Sequence, residues 1–268
     1  MMVGIPFFLA KGIEYAVAFV VLVNIASELT SIFVLFFFLP KNFKLEKSDF
    51  VPNKNNIFQI LKISLPTTGS RLIGSIGYFL EPIILTYVLI KIGYSNHFIV
   101  NEYGILSGYV MPLLLLPSFF TMAISQALIP IVSKSYSNGH KVYTKGKVRQ
   151  AIFFSLLIGI PVTVLFELIP EVPLQFIYHT TEGISYIRVL APICLLHYIQ
   201  SPLTSTLQAM GKANDAMNGT FGGMLIRTIL LFVCSYLKIG MWSLVIATAS
   251  NIIYVTWHQW RCVKKALV

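Results

Sequence analysis

Long apolar runs alternate along this chain with short polar stretches that carry lysine. Residues 16–39, 152–169 and 242–260 each hold about 18 or more residues with few charges, the length needed to cross a bilayer as a helix. Reading the whole chain this way predicts spans at 15–39, 57–90, 103–132, 150–169, 184–210, 218–237 and 242–260. The second run is too long for a straight crossing: at about 1.5 Å per residue it would extend about 50 Å. Pro66 and Pro82 fall inside it. Each removes a backbone donor, so one long kinked helix is expected. Pro112, Pro117 and Pro130 should bend the third span in the same way. The stretches 133–149 and 170–183 read as loops, the first with a Ser137-Asn138-Gly139 turn signal. The expected fold class is an all-α membrane protein with about seven transmembrane helices.

Composition supports this. Only 11% of the 268 residues are charged and 56% are hydrophobic. A soluble domain carries roughly a quarter charged residues, so this much charge cannot cover a water-facing surface. The formal net charge of +10 raises nucleic acid as a partner. Its placement argues against that. The bases cluster between spans at Lys41, Lys44, Lys47 and Lys54, at Lys134, Lys141, Lys145, Lys147 and Arg149, and at Arg261, Lys264 and Lys265. No basic-aromatic fingerprint accompanies them. They follow the excess of bases found in cytoplasmic loops. The other side has Lys11, Lys91 and Lys238 against Glu14, Glu102, Glu171 and Glu182. An odd number of spans then puts the N-terminus outside and the C-terminus in the cytoplasm. No removable signal peptide is expected.

The chemistry is sparse. Cys194, Cys234 and Cys262 are too scattered for a disulfide framework or a zinc site. No phosphate-binding loop, metalloprotease helix or nucleophile elbow occurs, so an enzyme is not expected. Charges within spans are more informative, because hydrocarbon makes them costly. Arg71, Gly74, Tyr78 and Glu81 share one helical face. They read as a cavity wall in which Arg71 holds an anion and Glu81, beside Pro82, holds a cation or proton. The alternative is structural ion pairing. His197, Ser201, Thr204 and Gln208 form a polar stripe, with Gln200 adjacent and Arg188 near the outer end. Such a stripe lines a water-filled path or glues helices together. Arg227 is a further buried base, and Asn251 and Glu28 read as packing contacts. Gly104-x-x-x-Gly108 and Gly219-x-x-x-Gly223 are close-packing signals.

Several strings together resemble a known family. They are Ile63-Ser64-Leu65-Pro66-Thr67-Thr68 through Arg71 to Glu81-Pro82, Tyr103-Gly104-Ile105-Leu106-Ser107-Gly108, and Ala123-Ile124-Ser125-Gln126-Ala127-Leu128-Ile129-Pro130. Ala191-Pro192, Ser201-Pro202-Leu203 and Gln208-Ala209-Met210-Gly211-Lys212-Ala213 complete the set. The chain resembles the stage V sporulation protein B branch of the multidrug/oligosaccharidyl-lipid/polysaccharide superfamily, whose transporters have two six-helix lobes in a V.

The resemblance implies that residues 1–40 hold the last helix of a first lobe, 41–56 a cytoplasmic linker, and 57–268 the second lobe of a MATE-like flippase. It implies a bacterial plasma-membrane protein acting in polysaccharide or sporulation-type cell-wall synthesis. The substrate would be a sugar or peptidoglycan precursor on an undecaprenyl-type pyrophosphate, moving among membrane lipids. Arg71 would be the leading phosphate ligand, with Arg188 and Arg227 next. Coupling to Na+ or H+ stays open, no other cofactor is implied, and a separate first-lobe chain or a second copy would be a partner. The rival readings are a cation-coupled multidrug exporter of the same fold, and a non-transporting membrane remnant or scaffold.

Overall fold

The structure, a computed structural model, describes residue 8, residues 12–38 and residues 54–268. The expected cytoplasmic linker at 41–56, apart from its last three residues, and most of the expected external N-terminus lie outside the described residues. The chain divides into two units, Met1–Lys54 and Asn55–Val268.

In the first unit, α1 (Ile13–Phe37) is a 25-residue helix. Leu22, Leu29 and Phe33 are exposed on it. Its hydroxyls are satisfied within the helix: Thr30 Oγ1 donates to the Ala26 carbonyl at 2.7 Å and Ser31 Oγ to Ser27 at 3.0 Å. That lets polar residues face hydrocarbon at small cost.

Helix α2 (Lys54–Ile92), 39 residues with Pro66 and Pro82 inside it, opens the second unit apart from its first residue, Lys54. The third span is broken. Helix α3 (Asn96–Gly104) passes into a π-helical stretch (Ile105–Val110) and then α4 (Met111–Leu115). Pro112 accounts for the widened turn, because it offers no N–H to the carbonyl of Gly108 and its ring crowds that carbonyl. At Pro117 the helix stops and restarts as α5 (Ser118–Ser137). The Leu113 carbonyl there accepts from the Leu116 amide at 3.2 Å, and the Tyr198 hydroxyl donates to the Leu114 carbonyl at 2.6 Å.

Two loop expectations are corrected. Residues 133–149 are helical except for a turn at 138–140, where Gly139 takes φ 77°. Helix α5 ends at Ser137, and α6 (Lys141–Leu168) starts directly after the turn. The Ser135 and Thr144 hydroxyls bond across it at 2.7 Å. The bases here do not end the helices, because bases disfavour hydrocarbon but not the helix itself. The 170–183 stretch likewise holds a short helix, α7 (Glu171–Tyr178). The remaining helices are α8 (Ile184–Ala209), α9 (Ala213–Tyr236) and α10 (Trp242–Leu267). No strand occurs among the described residues.

Helix α8 is the hub, packing on α5, α6 and α10, while α9 packs on α10. The Gly219-Gly223 signal does what the sequence suggested. A Cβ on Gly223 would sit 2.4 Å from Val255 Cγ2, and one on Gly219 2.7 Å from His258 Nδ1, so α9 approaches α10 through its glycines. The Gly104-Gly108 signal does not, since nothing lies within 4 Å of a Cβ at either position.

Two apolar clusters fill the lobe. One gathers Leu85, Leu114, Leu190, Tyr198, Leu231 and Ile252. The other gathers Leu128, Val132, Val148, Leu203, Leu207 and Val263. On α8 the boundary falls between Tyr198 and Leu203, and on α10 between Ile252 and Val263. The polar residues collect at that boundary.

Five described stretches are long and apolar enough to span a membrane: Glu14–Val34, Ile60–Ile92, Asn96–Leu115, Lys141–Leu168 and Ala213–Tyr236. Helices α5, α8 and α10 fall short of that apolarity among the described residues. Much of α8 and α10 is buried against protein rather than facing lipid. The molecule is a multi-pass, all-helical membrane protein.

Candidate functional site

At the level between the two apolar clusters, a cavity of about 220 Å³ opens among α2, α4, α8, α9 and α10. Helix α2 contributes Gly74, Gly77 and Tyr78, and α4 contributes Met111 and Leu115. Gly69 and Gly77 of α2 leave room for methionines of α9: a Cβ at either glycine would sit 3.0 Å from a side-chain atom of Met217 or Met224. Gly74, one turn away from Gly77, has nothing within 4 Å of where a Cβ would be, so its backbone borders open space.

Helix α8 supplies His197, Gln200 and Thr204 to the wall, and α10 supplies Thr248, Asn251 and Gln259. The two helices are laced together. Gln200 Nε2 donates to the Ile252 carbonyl at 3.0 Å and to Thr256 Oγ1 at 2.9 Å. Thr204 Oγ1 donates to Gln259 Oε1 at 3.1 Å. Polar glue and cavity wall are thus the same stripe, and the amides are held in place by bonds to the neighbouring helix. His197 sits one turn before Gln200 and lines the cavity directly.

The charge in the site comes from Arg227 on α9. Its side chain is 12% exposed and its Nη2 is ion-paired with Glu81 Oε2, whose side chain is 7% exposed. The guanidinium lies over the Tyr78 ring, 4.7 Å from the centroid. Tyr103, at the end of α3, lies near the same carboxylate. Arg227 Nε is buried without a hydrogen-bond partner among the described residues. A neutral pair at this depth is far less costly than either lone charge.

The candidate residues therefore divide into two groups. Tyr78, His197, Gln200 and Arg227 line one cavity, and Glu81 stands directly behind Arg227. Arg71 does not line it. It is exposed on α2, three residues before Gly74 and on the same face. Ser201 and Gln208 are half-buried on α8 and do not border the cavity. Arg188 stands apart, half-exposed and ion-paired with Glu171 on α7 at 3.4 Å.

Thr220 and the α10 residues Thr248, Asn251 and Gln259 belong to the site but were not among the candidates. Thr248, Asn251, Val255 and Gln259 recur at helical spacing, so the α10 stripe was present in the sequence as the α8 stripe was. Among the described residues, no group of His, Cys, Asp or Glu is placed to hold a metal ion.

Residues 1–136 match the polysaccharide biosynthesis protein family, and residues 106–233 match the MatE family. The chain is 36% identical over 267 residues to stage V sporulation protein B of Bacillus subtilis, covering 97% of this chain and 51% of that protein. It is 25% identical over 211 residues to the sporulation protein YkvU of the same organism, covering 78% of this chain and 47% of that protein. The chain spans about half the length of the curated relatives it matches.

Among solved structures, a MATE protein in a bent conformation superposes with a TM-score of 0.73 at 19% identity, covering 98% of this chain and 59% of that one. The inward-facing form of a multidrug resistance MATE family transporter of the MOP superfamily superposes with a TM-score of 0.61 at 18% identity, covering 97% and 61%. The fold is that of MATE transporters.

Proposed function

This chain belongs to the polysaccharide biosynthesis protein family, and from that premise we propose that it forms a lobe of a flippase for lipid-linked oligosaccharide or peptidoglycan precursors. The observation that carries this reading is the Arg227 guanidinium, held over Tyr78 beside a cavity whose other polar groups are amides, hydroxyls and an imidazole. A pyrophosphate-linked sugar offers phosphate oxygens for a guanidinium and hydroxyls for the amide groups, while its polyprenyl tail remains in lipid. Among the described residues, Arg227 Nε has no hydrogen-bond partner. Glu81 neutralises the guanidinium when the site holds no anion, so a phosphate entering the site competes with that carboxylate. Arg71, on the same face of α2 about 4.5 Å further along the helix axis from Gly74, would meet the headgroup outside the cavity.

Alternating access in this class of fold rocks two bundles about one site. The described lobe supplies one wall, and a first lobe would supply the other. The lysine-bearing end of the lobe would face the cytoplasm. A second reading, a cation-coupled multidrug exporter, is favoured by Glu81, a buried carboxylate within reach of the cavity.

Binding separates the two readings. The purified full chain should bind undecaprenyl pyrophosphate more tightly than undecaprenol. The paired change E81Q/R227Q, which removes both charges and keeps the volumes, should leave the protein monodisperse and weaken that binding about tenfold to a hundredfold. Unchanged binding in E81Q/R227Q would remove Arg227 from the site. Tighter binding of a lipophilic cation than of the pyrophosphate, lost in E81Q alone, would favour the exporter.

A further inference from the structure

A second concavity, of about 370 Å³, lies at the lysine-bearing end of the lobe between α6 and α10. Its rim carries Lys145 and Arg149, one turn apart on α6, and Lys264 opposite them on α10. All three are exposed. None of the side chains lining it is acidic. Its floor is apolar: Val148, Leu203 and Val263 are 4%, 0% and 5% exposed, with Ile152 and Leu267 beside them. Trp260, half-exposed, forms part of the wall.

We propose that this groove is a binding site for an anionic phospholipid, with its phosphate among Lys145, Arg149 and Lys264 and the start of an acyl chain on the floor. Both halves of the groove enter the argument. A small soluble anion would use the three cations and gain nothing from Leu203 and Val263, and an apolar ligand would gain nothing from the cations. An amphiphile with a negative head satisfies both. Basic pockets between transmembrane helices at the cytoplasmic face hold acidic lipid headgroups on the same principle. The volume lies within the roughly 300–1,000 Å³ range of small-ligand sites. An indole such as that of Trp260 is favoured at the level of lipid headgroups. This site is distinct from the cavity at Arg227 and shares no lining residue with it.

The test titrates the detergent-solubilised full chain with phosphatidylglycerol or phosphatidylcholine and reads bound lipid by native mass spectrometry. Phosphatidylglycerol should bind at least about tenfold more tightly. Each cation near an acidic headgroup is worth about fivefold, so K145Q/R149Q/K264Q should weaken phosphatidylglycerol binding on the order of a hundredfold. K145R/K264R keeps the charges and should bind as the unaltered chain does. K134Q/K141Q removes two bases from the same end but outside the groove, and should also leave binding unchanged. If the triple variant does not fold, the three single variants carry the test, at about fivefold each. The proposal fails if removing the groove cations leaves phosphatidylglycerol binding intact, or if K134Q/K141Q reduces it equally. It fails too if inorganic phosphate displaces the lipid at comparable concentration, which would mark a soluble-anion site.

Discussion

At the residue scale, Arg227 and Glu81 show how little a linear sequence says about which charge meets which. Both were recognisable as costly residues in apolar spans. Their 146-residue separation, however, hid the pairing that fixes their roles. Arg71 drew attention for the same reason as Arg227. Its neighbours Gly74 and Tyr78 did reach the cavity, but helical phase alone could not tell which turn of α2 the cavity would meet. Arg188 also followed the rule that charge in a span signals function, yet its partner Glu171 lies on a helix the sequence presented as a loop. The pairing has an energetic signature. Removing one partner of a buried pair strands the other, at a cost of about 3–5 kcal/mol, whereas removing both can be close to neutral. R227Q and E81Q should therefore each lower the midpoint of thermal unfolding in detergent markedly, and E81Q/R227Q should recover most of the loss. Additive losses in the paired variant would mean the two residues are not coupled.

At the scale of the element, the periodic signals were reliable wherever one physical cause decided the outcome. Prolines at 66 and 82 permitted one long α2, and Pro112 and Pro117 divided the third span. Loop boundaries were less legible, because lysines that disfavour hydrocarbon do not by themselves end a helix. The glycine signals split according to what faced them. Gly223 meets Val255 and Asn251, whereas Gly104 and Gly108 meet nothing within 4 Å, and Gly74 on the cavity wall also faces open space. G223A should accordingly destabilise the lobe by about 1–3 kcal/mol through overpacking. G74A should be neutral, or stabilising by up to about 1 kcal/mol, since alanine is the better helix former. Unfolding of both variants in the same detergent compares them directly. Equal behaviour would show that the α9–α10 contact tolerates a methyl group.

At the scale of the whole molecule, charge is distributed by end. Lys134, Lys141, Lys145, Lys147, Arg149, Lys264 and Lys265 collect at one end of the lobe, with Glu102, Glu171 and Glu182 at the other. That asymmetry predicts a cytoplasmic C-terminus. A reporter fused after Val268 should be active only in the form that functions inside the cell, and activity of an outside-only reporter there would reverse the map. The weak apolarity of α8 and α10 has a further consequence, for biogenesis. A nascent segment leaves the protein-conducting channel sideways when lipid dissolves it well, and polar side chains shift that partition back towards water. The stripes of α8 and α10 become comfortable in the bilayer only after each helix has found the other, together with α5, α6 and α9. Helix α8 is synthesised before α9 and α10, so the hub must wait at the channel, or beside it, for partners the ribosome has not yet made. That same polar wall makes the hub one of the last parts of the bundle to settle.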